Sequence, residues 1–124
     1  TSGLYQITVN FQTNQYTVTP LGLYIVGDAT PGAWNNPVPV PSQQFTNAGN
    51  GHYKLTLAMP GGGTFLFLPV NGSWDHKFGG TSATGGALLA DGAVPGTNTP
   101  GPATAGTYLI DVNFLANTYS LTKQ

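Results

Sequence analysis

TAGTYLIDVNFLANTYSLTK, residues 104–123, decides the fold because the chain contains it twice. TSGLYQITVNFQTNQYTVTP, residues 1–20, aligns on it without gaps, position 1 on position 104. Thr1, Gly3, Tyr5, Ile7, Val9, Asn10, Phe11, Asn14, Tyr16 and Thr19 are identical to their counterparts. In each copy the apolar residues alternate, as Tyr108, Ile110, Val112, Phe114 and as Tyr5, Ile7, Val9, Phe11. A period of two is what a strand with one buried face requires, since successive side chains point to opposite faces. An Asn-containing turn then leads to Tyr119 and Leu121, or to Tyr16 and Val18, so each copy reads as a β-hairpin.

Outward from these ends the β-rhythm continues. LGLYIVGD (21–28) is a nearly continuous apolar run ending in a Gly-Asp turn, which suits a central strand covered on both faces. HYKLTLAM (52–59) alternates, sending Tyr53, Leu55, Leu57 and Met59 inward and His52, Lys54 and Thr56 outward. TFLFLPV (64–70) is a second buried run, introduced by Gly61-Gly62-Gly63. Gly or Pro interrupts every window long enough for a helix. ATPGAWNNPVPVPSQQ (29–44) and GGTSATGGALLADGAVPGTNTPGPA (79–103) read as loops. The expected fold is all-β, a two-sheet antiparallel β-sandwich over 21–124. The hairpin at 1–20 is expected to close a preceding module of a tandem array with a period near that of the repeat, or else to pack within this fold as a second, similar hairpin. Alone it would be marginal, and its free strands would invite swapping or edge pairing.

Composition removes several function classes. The chain has 124 residues, enough for one core and too few for two. Charged residues make up only 6%, Arg and Glu are absent and the net charge is −1, so no basic surface meets nucleic acid. Without cysteine there is no disulfide framework, thiolate nucleophile or zinc-thiolate site. Two His and four scattered Asp have no metal-ligand spacing, and no cofactor is implied. Asp28, Asp75, Asp91 and Asp111 suggest no pair flanking a glycosidic bond, and no Gly-x-Ser-x-Gly elbow accompanies His52 or His76, so no catalytic residue is expected. No signal peptide, lipobox or membrane-spanning run is present, and the start TSGLYQ reads as an interior cut of a longer protein.

LYIVGDATPGAWN (23–35), the strand TFLFL (64–68), the turn GSW (72–74), FGGTSATGGAL (78–88) and the ending NTPGPATAGTYLIDVNFLANTYSLT (98–122) together resemble a SusE/SusF-type module. These are starch-binding surface lipoproteins of Bacteroidetes. The resemblance runs in order from about Leu21 to Thr122, and 1–20 resembles the end of a preceding module. It implies an immunoglobulin-like carbohydrate-binding sandwich, noncatalytic, binding an α-1,4-glucan. It also implies lipid anchoring to the outer membrane of a Gram-negative cell through a missing N-terminal part, with neighbouring modules and a glycan import complex as partners. The alternative is a structural spacer or protein-interaction module with no glycan site.

Sugar rings present flat C–H faces, so a glycan site needs aromatic platforms and a few polar groups for the hydroxyls. Trp34, in a Pro/Gly-rich loop ahead of Asn35 and Asn36, fits a platform; otherwise it folds back and plugs the end of the sandwich. Trp74 follows the Asn71-Gly72 turn and would stand near a sheet rim, where the resemblance implies a second stacking aromatic opposite the first; otherwise it caps the core. The two indoles are expected to wall one cleft. Strand alternation sends Trp74, His76 and Phe78 to one face and Asp75 and Lys77 to the other, so His76 is the expected polar partner and Asp75–Lys77 a solvated ion pair. The candidate site is Trp34, Trp74 and His76, then Lys77, Asn35 and Asn71. One departure stands out: such modules usually place a Lys between the strand aromatics, as Phe-Lys-Phe-Leu, and here the strand reads Phe65-Leu66-Phe67-Leu68. Either Lys77 substitutes for it, or the glycan differs, or the site is lost.

Overall fold

The computed structural model describes residues 4–124, with backbone alone at positions 19 and 20, so Thr1, Ser2 and Gly3 of the repeat lie outside the described residues. In chain order the strands are β1 (Leu4–Asn10), β2 (Gln15–Leu21), β3 (Tyr24–Val26), β4 (Thr46–Gly49), β5 (His52–Met59), β6 (Thr64–Leu68), β7 (Phe78–Gly79), β8 (Gly85–Ala87), β9 (Leu89–Ala90), β10 (Thr99–Pro100), β11 (Gly106–Asn113) and β12 (Thr118–Lys123). All pairings are antiparallel. One five-stranded sheet runs β4-β5-β11-β12-β8. In the other, β6 is the hub, hydrogen bonded to β3, β7 and β10, with β9 beyond β7. Among the described residues the one helical element is a 3-10 turn at Asp91–Ala93.

The alternation in 52–59 and 106–121 turns one row of side chains onto the opposing sheet. Tyr53, Leu57, Met59, Tyr108, Ile110, Val112, Tyr119 and Leu121 meet Leu23, Ile25, Phe45, Phe65 and Phe67 in one apolar core between the two sheets. The expected β-sandwich is therefore present. Phe67 lies at its centre, edge-on to Phe65, Phe45 and Tyr119 at centroid distances of 5.2, 5.7 and 5.9 Å. Each such fully buried side chain contributes about 1.5–3 kcal/mol relative to exposure.

The runs at 21–28 and 64–70 have no polar face because both faces of their strands are covered. Phe65 and Phe67 point into the main core, whereas Leu66 and Leu68 join Val26, Val38 and Val94 in a second cluster. Val38 and Val94 come from the two long loops, which fold over the outer face of β6. The strand within 21–28 spans only Tyr24–Val26, but it is internal: β6 borders it on one side and Gln44 bridges Tyr24. At Gly27 the φ of +140° and the closeness of the Thr64 carbonyl exclude a side chain.

Both copies of the repeat form the expected hairpin, with opposite fates. β11–β12 lies inside the five-stranded sheet, while β1–β2 is a separate two-stranded sheet that hydrogen bonds to neither sandwich sheet as a strand. It is tethered at its base, where the Leu4 amide donates to Tyr53 Oη at 2.6 Å and the Leu4 side chain packs on the core.

Tyr119 carries a pH-dependent part of the core. Its hydroxyl donates to the Ser82 carbonyl at 2.5 Å and accepts from the Ser82 amide at 3.1 Å. Burial pushes its pKa above the ordinary value of 10.0, against the lowering effect of the bond to Ser82. A pKa raised in the folded state means stability present below pH 10 and lost as pH rises through the folded value, because the unfolded chain ionises first. A tyrosinate absorbance titration should show one step delayed beyond pH 10 that Tyr119→Phe removes, with the unfolding midpoint falling over the same range.

Candidate functional site: an aromatic platform on two stitched loops

The loop bearing Trp34 is rigid for reasons that begin at Thr30 and Gln43. Thr30 Oγ1 donates to the Gly27 carbonyl at 2.7 Å, and a tight turn returns the Gly27 amide to the Ala33 carbonyl at 2.9 Å. Gln43, fully buried, donates from Nε2 to the Ile25 carbonyl at 2.8 Å and to Thr30 Oγ1 at 3.1 Å, and accepts from the Gly32 amide at 2.8 Å. A buried side-chain amide satisfied in this way fixes the loop backbone, since leaving any of these groups unpaired costs about 1–3 kcal/mol. Ala33, directly before Trp34, sits at φ +50°, the left-handed region that disfavours a side chain, so the loop holds a strained residue at the base of the indole.

The second element is the turn after β6. Gly72 has φ +93°, as a turn of this kind requires. Its amide donates to Asn36 Oδ1 at 2.8 Å, which ties the turn to the first loop. Asn71 completes the seam: its Oδ1 accepts from the Val38 amide at 2.7 Å and its Nδ2 donates to the Val38 carbonyl at 3.3 Å. Asn71 was expected among the ligand-binding groups; the structure uses both ends of its amide to position the loops. Asn35 is exposed, with its amide on the Gly32 carbonyl at 3.2 Å.

This seam brings the two tryptophans together. Trp34 and Trp74, 37% and 48% exposed, have ring centroids 6.2 Å apart and planes inclined at 40°. At that spacing the rings touch, so no sugar fits between them. The expected cleft with two indole walls is thereby corrected to two exposed indoles in contact with each other, their planes tilted by 40°. Neither indole plugs the core.

The polar residues after Trp74 are arranged differently from strand alternation. Residues 69–77 are irregular and β7 begins only at Phe78, so the alternation expected across 74–78 does not apply. His76 Nδ1 lies 3.3 and 3.4 Å from the Asp91 carboxylate oxygens, both side chains well exposed. Lys77 is held by its backbone, the amide donating to Asp91 Oδ1 at 3.2 Å and the carbonyl accepting from the Asp91 amide at 2.8 Å. The close side-chain contact at this place is thus His76 with the Asp91 carboxylate, and the Asp75 amide turns back to Ser73 Oγ at 3.2 Å. Asp75, His76 and Asp91 line a cavity of about 520 Å³ together with Leu4, Tyr5 and Ile7 of β1.

Sequence reasoning missed Asn36, Gln43 and Asp91. Among the described residues Asn36 Nδ2 has no hydrogen-bond partner although it is buried, while its Oδ1 accepts from the Gly72 amide. No local pattern announces these residues, because their partners are 36, 18 and 15 positions away. The lysine that the resemblance places on β6 is Leu66, which is 3% exposed under Val38 and Val94. Far from the indoles in sequence, His52 Nδ1 pairs with Asp111 at 2.9 Å on the outer face of β5–β11 while its Nε2 faces the Asn113 amide at 3.3 Å. Among the described residues no three His, Cys, Asp or Glu gather as a metal site. Compared with protein-family models, with curated proteins and with solved structures, the chain matches none.

Proposed function

We propose that the chain is a noncatalytic glycan-binding sandwich of SusE/SusF type, immunoglobulin-like in character, that holds an α-1,4-glucan on Trp34 and Trp74. The observation that carries this reading is the pair of exposed indoles in contact at 6.2 Å and tilted by 40°. An exposed pair held rigid by side-chain hydrogen bonds in two loops is poorly explained by packing and well explained by a flat apolar ligand. Two adjacent planes inclined to one another suit successive rings of a curved chain, as α-1,4 linkage gives, better than the flat ribbon of a β-1,4 chain. Asn35 stands beside Trp34 in the sequence and His76 follows Trp74 by two positions, close enough along the chain to offer donors at the platform's edge.

Binding without turnover is supported by the state of the carboxylates. A glycosidase sets two of them across one bond. Of the two at the cavity, Asp91 holds the segment that follows Trp74, through His76 and the Lys77 amide, which favours a positioning role for it. With the module reading go presentation at an outer-membrane surface by a lipid anchor elsewhere in the parent chain, neighbouring modules and a glycan import complex. A site this shallow gives a dissociation constant on the order of 10–1000 μM, made up by avidity across modules. The burial of Leu66 where a sugar-binding lysine would stand favours the second reading, a spacer or protein-interaction module. Titration with maltoheptaose, followed by tryptophan fluorescence against a β-glucan oligosaccharide, separates the two. Saturable quenching by the α-glucan alone is expected; silence toward both sugars would leave the spacer.

A further inference from the structure

Independently of any glycan, β1–β2 carries the chemistry of a buried face on an open surface. Tyr108, Ile110, Val112, Tyr119 and Leu121 of the closing hairpin are 7, 0, 0, 3 and 6% exposed, and their counterparts Tyr5, Ile7, Val9, Tyr16 and Val18 are 40, 65, 52, 72 and 50% exposed. The copy extends beyond composition. Ile7 pairs with Val18 and Val9 with Tyr16, as Ile110 pairs with Leu121 and Val112 with Tyr119, so the register is the same. Asn10 Oδ1 accepts from the amides of Gln12 and Thr13 as Asn113 Oδ1 does from Leu115 and Ala116. Asn14 and Asn117 close the two turns at φ +53° and +54°.

We propose that β1–β2 is the closing hairpin of a second sandwich core built like this one. In that core a strand like β5 would flank β1, a strand like β8 would flank β2, and a sheet like that of Ile25, Phe65 and Phe67 would cover the apolar face. Register, turn and face are specified together, which a generic sticky patch does not need. A second copy of the 124-residue chain offers this hairpin no vacant place in a sandwich: each chain has two closing hairpins and one core, and that core's place is already taken by β11–β12. Exchange between copies would only change which hairpin is left over. The occupant is therefore a core that lacks its own closing hairpin.

The test extends the full chain by fusing a copy of residues 21–103 ahead of Thr1, so that the added segment runs into 1–20 as 103 runs into 104. Hydrogen exchange then compares Ile7, Val9 and Val18 with Ile110, Val112 and Leu121. The expected result is exchange at the first three amides slowed at least a hundredfold by the fusion, to the level of their counterparts. Ile7→Asp in the fusion should unfold the added core and leave the original sandwich intact. Unchanged exchange at β1–β2, or an added segment that stays unfolded, overturns the proposal. So does a dimer of the unextended chain in sedimentation that Ile7→Asp dissolves, which would assign the face to a second copy.

Discussion

Trp74→Ala should weaken α-glucan affinity at least tenfold, about 1.4 kcal/mol, while the chain still unfolds in one cooperative step. The indole is 48% exposed and belongs to neither apolar cluster, so its removal opens no core cavity. What it does remove is half of the platform and the contact with Trp34, an aromatic pair worth about 0.5–1.5 kcal/mol. Stability should therefore fall by no more than that, and binding by more, because a single remaining ring stacks one sugar rather than two. Isothermal calorimetry with maltoheptaose, beside urea unfolding of the same variant, reads both quantities. Equal affinity in the two proteins would take Trp74 out of the site and place the glucan elsewhere on the sandwich.

How much of the fold could be read from the residues depended on how local its causes are. Alternation in 52–59 and 104–123 survives into the structure because one face of that sheet is solvated, and a period of two is then enforced residue by residue. TFLFL could be recognised as buried, but not what buries it: Val38 and Val94 come from loops whose approach no periodicity records. The repeat exposed both hairpins and left the surroundings of the first undecided. Alternation specifies which face is apolar and says nothing of what will cover it.

For the site, residue type was informative and spacing was not. Two tryptophans outside the strand rhythm pointed to a surface role, and the structure brings them together. Their polar neighbours do not follow strand alternation through 74–78, because the chain there is irregular, and the Asn71 side-chain amide is turned onto the Val38 backbone. Gln43 and Asp91 work across long sequence separations, and a single sequence carries no trace of such pairings.

Leu66 is where the resemblance and the packing disagree most sharply, and restoring the lysine decides between them. Leu66→Lys should lower the unfolding free energy by about 3–5 kcal/mol at pH 7, against less than about 1.5 for Leu66→Met, which keeps volume and polarity. The position is 3% exposed and its neighbours Val26, Val38, Leu68 and Val94 offer no carboxylate, so an ammonium there either loses its water or forces the loops off β6. Burial would push the lysine pKa down in the folded state, so the unfolded chain would bind the extra proton. Stability of the variant should then recover as pH rises from 7 toward about 10, opposite to the alkaline loss expected from Tyr119. Unfolding curves across that range measure it. A variant as stable as its parent at pH 7, with tighter glucan binding, would show instead that the loops over β6 open readily and that the outer face of this strand is a binding surface.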